Sequence, residues 1–283
     1  MIEADVSINS STSFFDEAEE TYRQLANSDR LEIMLFLDSR IGKMASISKE
    51  LGDRMQDVKR NLDSLLSEGL VEKNSHGEYS LTTFGSVIVR QIPSIDFLSR
   101  NKEYFSNHNF EKIPDKFIHR IGELNNSKFV KGYVAVIESI KEMYSQSEEY
   151  IYGMLPEVSL ELVEAIISKI RSQTITFNYI LPEKAIVPKV SHELVKDSNY
   201  IKLMHQGLIN GRMVKKISAA VIVTDKEGAV MFPYVEGETD LRTMFYSDDT
   251  NPDNGQFHDW CVDFFKYNWD NSEYYNKGKL IEV

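Results

Sequence analysis

Between Ser28 and Phe84 the apolar residues change period in a fixed order: helix, helix, tight turn, helix, two-stranded ribbon. Ahead of this stretch, Phe15, Ala18, Tyr22 and Leu25 recur at helical spacing, and Asn27-Ser28 breaks the run. Ser28 is placed to cap a helix whose inner face is Leu31, Met34, Leu35 and Phe36. Met44, Ile47 and Leu51 mark a short helix that Gly52 ends. Asp53 is placed to cap the next one. Its inner stripe is Met55, Val58, Leu62, Leu65 and Leu66, while Gln56, Asp57, Lys59, Arg60 and Asp63 fall on the other side. Gly69 closes it. Residues 70–73 and 78–81 read as strands joined by the turn Asn74-Ser75-His76-Gly77. Thr82 or Thr83 caps a final helix through Val87, Ile88 and Ile92, stopped near Pro93.

This segment resembles the winged helix-turn-helix domain of prokaryotic and archaeal transcription regulators. The resemblance is carried by residues 28–37 (SDRLEIMLFL), 48–52 (SKELG), 58–62 (VKRNL), 68–71 (EGLV) and 79–85 (YSLTTFG), in that order and spacing. It implies that the helix after Asp53 enters the major groove of double-stranded DNA. Lys59 and Arg60 are then expected to donate to guanine or phosphate, and Gln56 to pair with adenine. Arg54, Lys49 and Lys43 are expected at the backbone, with Lys73 and His76 touching phosphate from the wing. Asp53 and Asp57 depart from the pattern, being acidic where many relatives carry Ser or Thr. Taken alone, Lys59 and Arg60 are simply the wet face of an amphipathic helix.

The net charge of −12 runs against the basic footprint of most DNA-binding domains, so the positive surface has to be local. It is found between Arg40 and Arg60, where Arg40, Lys43, Lys49, Arg54, Lys59 and Arg60 outnumber Glu50, Asp53 and Asp57. At 283 residues the chain holds one large or two ordinary domains, and a 42% hydrophobic content supports real cores. A single cysteine, Cys261, excludes an internal disulfide framework and fits a reducing cytosol, so a cytoplasmic location is expected. The acidic start Met1-Ile2-Glu3-Ala4-Asp5 is unlike a signal peptide. No apolar run approaches the ~20 residues of a membrane span, and no membrane partner is expected.

The expected organisation is a frayed tail (1–14), the winged helix (15–98), a polar-aromatic connector with Pro114 (99–126) and an α/β domain (127–283). In the last, Tyr133, Val136, Ile137, Ile140 and Tyr144 make a helical stripe, followed by a strand over 149–155. Leu160, Val163, Ile167 and Ile170 restore helical spacing, residues 174–180 alternate as a strand, and helical spacing returns between Val190 and His205. Strands are expected over 213–217, 219–224 and 229–234, the last two joined by a hairpin at 225–228, and over 242–246. Phe257, Trp260, Cys261, Phe264, Phe265 and Trp269 close the chain on an aromatic helix. Such alternation implies an α/β sheet covered by helices.

Residues 219–225 (AAVIVTD), the Gly228 hairpin, 240–242 (DLR), 247–249 (SDD) and 257–267 (FHDWCVDFFKY) resemble the C-terminal domain of archaeal winged-helix regulators of the methanogenesis-regulatory-protein type. The resemblance implies a sensory or assembly module related to phospholipase-D-like folds, in a degenerate form. An active phospholipase-D-type site needs a His-x-Lys motif; His192, His205 and His258 are followed by Glu193-Leu194, Gln206-Gly207 and Asp259-Trp260. No enzyme is expected. Tyr150, Tyr152, Tyr179, Phe232, Tyr234 and Tyr246 suit either a small-ligand pocket or an ordinary core. Arg212, then Arg242, are the candidate anion partners beside Tyr152, Tyr179 and Tyr234. His258 and Cys261 share a helix face but fall short of a four-ligand metal site, and Asp248-Asp249 suits a turn better than a cation. No cofactor and no metal is expected.

The sequence therefore reads as a winged helix-turn-helix followed by an α/β domain. The expected function is a homodimeric DNA-binding transcription regulator with a small-molecule effector. The alternative is a winged-helix module that docks on the transcription machinery, and behind it an enzyme built on the α/β domain.

Overall fold

The computed structural model describes residues 11–172, 175–189, 198–247 and 255–282. Asp248, Asp249, His192, Val190 and residues 1–10 of the expected tail lie outside them. The chain forms two compact units, Met1–Ile92 and Pro93–Val283.

The first unit runs α1 (Ser11–Leu25), α2 (Ser28–Ser39), β1 (Gly42–Lys43), α3 (Met44–Leu51), α4 (Met55–Ser67), β2 (Val71–Lys73), β3 (Glu78–Leu81) and α5 (Thr83–Val89). This is a winged helix-turn-helix. Its sheet has the order β1-β3-β2, all antiparallel, with Gly42 opposite Tyr79 and Lys73 opposite Tyr79 from the other side. Residues 11–14, expected in the tail, begin α1. Two caps differ from expectation. Asn27, not Ser28, caps α2, its side chain accepting from the Arg30 amide at 3.0 Å. Arg54, not Asp53, occupies the N-cap of α4 and supplies no side-chain bond, because α4 begins one turn position later than the Gly52 break suggests. Gly52 takes the left-handed conformation that ends α3.

The core of this unit gathers Ile33, Met34 and Leu37 from α2, Ile47 from α3, and Val58, Leu62 and Leu65 from α4. Met55, expected in that stripe, is 43% exposed because it precedes the first full turn facing the core. Thr82 Oγ1 accepts from the Gly85 amide at 3.0 Å, capping α5. Gly85 lies against the backbone of Leu70, where an added Cβ would stand 1.9 Å from the carbonyl oxygen.

The second unit begins within α6 (Ile92–Arg100) and continues with α7 (Lys102–Phe105), α8 (Asp115–Ile118) and a 3-10 turn at Ile121–Leu124. There follow β4 (Lys128–Lys131), α9 (Tyr133–Gln146), β5 (Tyr150–Met154), α10 (Leu160–Ser172), β6 (Thr176–Pro182) and β7 (Ile186–Val187). The chain ends with α11 (Ser198–His205), β8 (Ile209–Val214), β9 (Ala220–Thr224), β10 (Gly228–Met231), β11 (Thr243–Tyr246), α12 (Gly255–Asp270), β12 (Glu273–Tyr274) and β13 (Ile281–Glu282). The main sheet among the described residues has the order β12-β8-β6-β5-β9-β10-β11-β4. β5, β6 and β8 run parallel, as strand-helix-strand crossovers require, and β9 to β11 form the antiparallel half.

Residues 99–126, expected as a connector, are built into this unit. Ile113, Phe117, Ile121 and Leu124 are core residues, and Trp260 Nε1 donates to the Phe117 carbonyl at 3.1 Å. Pro93 lies inside α6 instead of stopping a helix, which its missing N–H permits in a first turn. The strand expected at 213–217 is β8, four residues earlier. Strand β4 had no sequence expectation because Lys128 and Lys131 flank only two apolar residues.

A polar cluster is buried in the same core. Thr243 Oγ1 donates to Asp240 Oδ2 at 2.5 Å, and His108 lies 3.2 Å from the same oxygen. Burial works to raise the Asp240 carboxyl. Hydrogen bonds from Thr243, Tyr234, the Arg242 amide and His108 outweigh it and hold the group below the usual carboxylate range.

Two outcomes follow from this architecture. Gly85→Ala is expected to destabilise the first unit by about 1–3 kcal/mol in urea unfolding, through overpacking on Leu70. A carboxyl with a lower pKa folded than unfolded contributes its full stability above the unfolded pKa of about 3.9 and loses it as pH falls through the folded value. Thermal melts should therefore show acid destabilisation below about pH 4, and that slope should be shallower in Asp240→Asn.

Candidate nucleic-acid interface

Helix α4 has two faces because its apolar residues recur every three to four positions. Val58, Leu62 and Leu65 are fully buried, and two polar side chains on the same side tie the helix to its neighbours. Asn61 Nδ2 donates to Asp29 Oδ2 on α2 at 3.5 Å, and Ser64 Oγ donates to Gln24 Oε1 on α1 at 2.9 Å. The helix is therefore fixed about its own axis. Its outward face carries Gln56, Lys59, Arg60 and Asp63, all exposed.

The charges on this face are unequal in number. Asp57, at the start of α4, pairs with two arginines: Arg54 Nε at 3.1 Å and Arg60 Nη2 at 3.3 Å. One carboxylate thus orients two guanidinium groups and leaves a net positive charge. Arg40 pairs with Glu50 at 2.9 Å. Lys43, Lys49 and Lys59 are exposed and have no acidic partner among the described residues. Lys43 and Lys49 lie at the start of α3 and in its last turn.

The wing is held by its own turn. Asn74 Oδ1 accepts from the amides of His76 at 2.9 Å and Glu78 at 3.0 Å, and Gly77 takes a positive φ of 78°. The Lys73 ammonium lies over the Tyr79 ring, 5.1 Å from its centroid, with the side chain exposed. His76 is exposed at the tip. All eight expected contact residues are exposed and lie at the end of β1, on α3, at the start of α4 or on the wing of one small unit. An exposed helix with amide and guanidinium donors in its first two turns has the size and chemistry that the major groove accepts.

In the second unit the five ligand candidates do not share one place. Tyr179 lines a cavity in that unit; Tyr152, Arg212, Tyr234 and Arg242 do not. Arg212 is inside β8, not ahead of a strand. Its guanidinium lies 4.4 Å from the Tyr274 ring and 5.3 Å from the Trp269 ring. Tyr152 stacks on Tyr150 and Phe265, centroids 4.4 and 4.9 Å away. Tyr234 stacks on His108 at 4.8 Å, and Arg242 is exposed. His258 lies 2.8 Å from the Thr224 carbonyl, and Cys261 is fully buried, where desolvation pushes its thiol pKa up. Among the described residues no three His, Cys, Asp or Glu side chains gather as metal ligands, and no helix is long and apolar enough to cross a membrane.

Sequence reasoning passed over Asp57 as an organiser of Arg54 and Arg60; the i, i+3 spacings on either side were its signal. It also passed over Gly153, a glycine inside a strand.

The sequence matches no family profile and no curated protein. Among solved structures it is similar to TrmBL2, an archaeal chromatin protein, at 15% identity over 88% of this chain and 94% of that one, TM-score 0.39. Reduced HlyU from Vibrio cholerae is similar at 20% identity over 29% of this chain and 92% of that one, TM-score 0.28. Nuc from Salmonella typhimurium, a phospholipase D family member, is similar at 8% identity over 54% of this chain and 99% of that one, TM-score 0.35. The fold assignment rests on element order and register, not on these likenesses.

Replacing Asp57 by Asn should release both arginines and remove one negative charge from the face. The expected result is a severalfold gain in affinity for non-specific duplex at low salt, read by fluorescence anisotropy.

Proposed function

We propose that this chain is a DNA-binding transcription regulator whose α4 enters the major groove, with the wing against the backbone. The observation that carries the reading is the two-faced α4: an inner side locked by Val58, Leu62, Leu65, Asn61 and Ser64, and an outer side of Gln56, Lys59 and Arg60. Gln56 can donate to adenine N7 and accept from its N6 amino group, Arg60 can donate twice to guanine, and Lys59 supplies charge. Lys43, Lys49, Arg54, Lys73 and His76 contribute phosphate contacts that set register.

The reading includes a homodimer, because paired half-sites need paired readers. It also includes an effector site in the second unit, acting by favouring one arrangement of the dimer. It contains no catalytic step. A kinship with regulators of the methanogenesis-regulatory-protein type belongs to the same proposal, on the residues quoted for it above.

A second reading draws on the net charge of −12 and on Asp57 at the head of α4. In it the winged helix docks on a protein of the transcription machinery. Salt separates the two, since DNA affinity falls steeply as counterions compete and protein docking need not.

Lys59→Ala combined with Arg60→Ala is expected to weaken duplex binding and to lower the slope of log K against log salt by about two. Folding should be unaffected, as both side chains are exposed. Unchanged affinity at matched salt rules out α4 as the reading helix.

A further inference from the structure

The second unit contains a cavity of about 290 Å³ that the DNA-binding reading leaves unused. Its floor comes from the sheet. Gly153 on β5 is in register with Tyr179 on β6, and Tyr179 with Gly211 on β8. A large side chain thus has a glycine on each neighbouring strand. The two glycines serve different ends. At Gly211 an added Cβ would stand 2.6 Å from the Tyr179 ring, so this glycine makes room for the ring. At Gly153 an added Cβ would make only ordinary contacts, 3.8 Å from Ile222 Cδ1 and 4.0 Å from the Tyr144 hydroxyl. Neither backbone nor packing requires glycine there. What its missing side chain provides is space.

The roof is hydrocarbon from α10, including Leu162, Ile166 and Ile167. Among these walls Tyr144 of α9 is only 3% exposed, and its hydroxyl has no hydrogen-bond partner among the described residues. That hydroxyl borders the cavity, 4.0 Å from where a Gly153 Cβ would stand, and is free to donate to an oxygen that enters it. By contrast, the Tyr179 hydroxyl is hydrogen-bonded to those of Tyr200 and Tyr275. Burial pushes the Tyr144 and Tyr179 hydroxyls up, so both stay neutral in ordinary buffers. The charged residue of the lining is Lys277, 56% exposed and 3.6 Å from Glu282. A charged ligand would enter this hydrocarbon interior without a buried counterion. The size is at the lower end of small-molecule sites, which run from about 300 Å³ upward.

We propose that this cavity binds a small, uncharged, mainly apolar molecule bearing one carbonyl or hydroxyl oxygen, which Tyr144 meets, and that it is the effector site of the regulator. The regulatory half rests on the DNA-binding reading; the binding half does not. Tyr179 is part of the wall, and Arg212 has no place in the site.

The test titrates the full chain with acetophenone, ethylbenzene and benzoate by calorimetry at pH 7. The first two are nearly equal in size and differ by the carbonyl; the third adds charge. Acetophenone is expected to bind about two- to tenfold tighter than ethylbenzene, with benzoate weakest. Tyr144→Phe should erase the acetophenone preference and leave ethylbenzene unchanged, with no loss of thermal stability, because the removed hydroxyl has no partner. Gly153→Val should abolish binding of both. Failure of both neutral probes to bind the unmodified chain overturns the proposal. So does a carbonyl preference that survives Tyr144→Phe, or tighter binding of benzoate. A chain that binds acetophenone but no duplex leaves the cavity standing and removes the regulator. A chain that binds duplex but neither probe does the reverse.

Discussion

The seam between the inner side of α4 and helices α1 and α2 governs what the first unit can present. Val58, Leu62 and Leu65 bury their side chains completely, which at about 25 cal/mol per Å² is the main force holding the helix down. Hydrophobic contact alone would allow α4 to roll. Asn61 to Asp29 and Ser64 to Gln24 remove that freedom, because a buried polar group that slipped out of register would lose its partner. The outer residues inherit their direction from this lock. Gln56, Lys59 and Arg60 are where they are because positions two to five residues away face the core.

Charge is organised on a similar principle of local excess. The molecule as a whole is acidic, yet between Arg40 and Arg60 six cations face three acids. Asp57 does not cancel this patch. It binds Arg54 and Arg60 together and neutralises one charge of two. Such exposed pairs contribute little to stability. Their consequence is geometric, since guanidinium groups that share a carboxylate lose rotamer freedom before any partner arrives.

In the second unit, packing is dominated by aromatic rings, and it draws in chain that looked like a linker. Phe97 lies 5.4 Å from Phe245 and Phe117 lies 4.9 Å from Phe264, both edge-on, the arrangement that ring quadrupoles favour. The sheet beneath alternates bulk across strands as well as along them. Glycine, tyrosine, glycine in one row is how a solid α/β core comes to contain a cavity with a hydroxyl at its wall.

Much of the first unit was legible in the chain itself. Period, glycine stops and the Asn74–Gly77 turn are local signals, so α2 to α5 and the wing emerge within a few residues of their positions. Caps were less legible: Asn27 and Ser28 are adjacent and chemically equivalent candidates, and which one caps depends on where the preceding helix ends. The second unit yielded its main helices and most central strands by the same local rules. Its edge strands β4 and β12 did not show, since short strands at a sheet edge need little apolar pattern. The ligand candidates were chosen by residue type, and only Tyr179 lines the cavity. Sequence periodicity says which residues share a face of one element. It cannot say that Gly153, Tyr179 and Gly211, from three strands, fall in one row, because register between distant strands is fixed by the whole sheet. The helix with the exposed cationic face was determined by the sequence; the hollow in the sheet was decided by tertiary structure, through pairing no local rule contains.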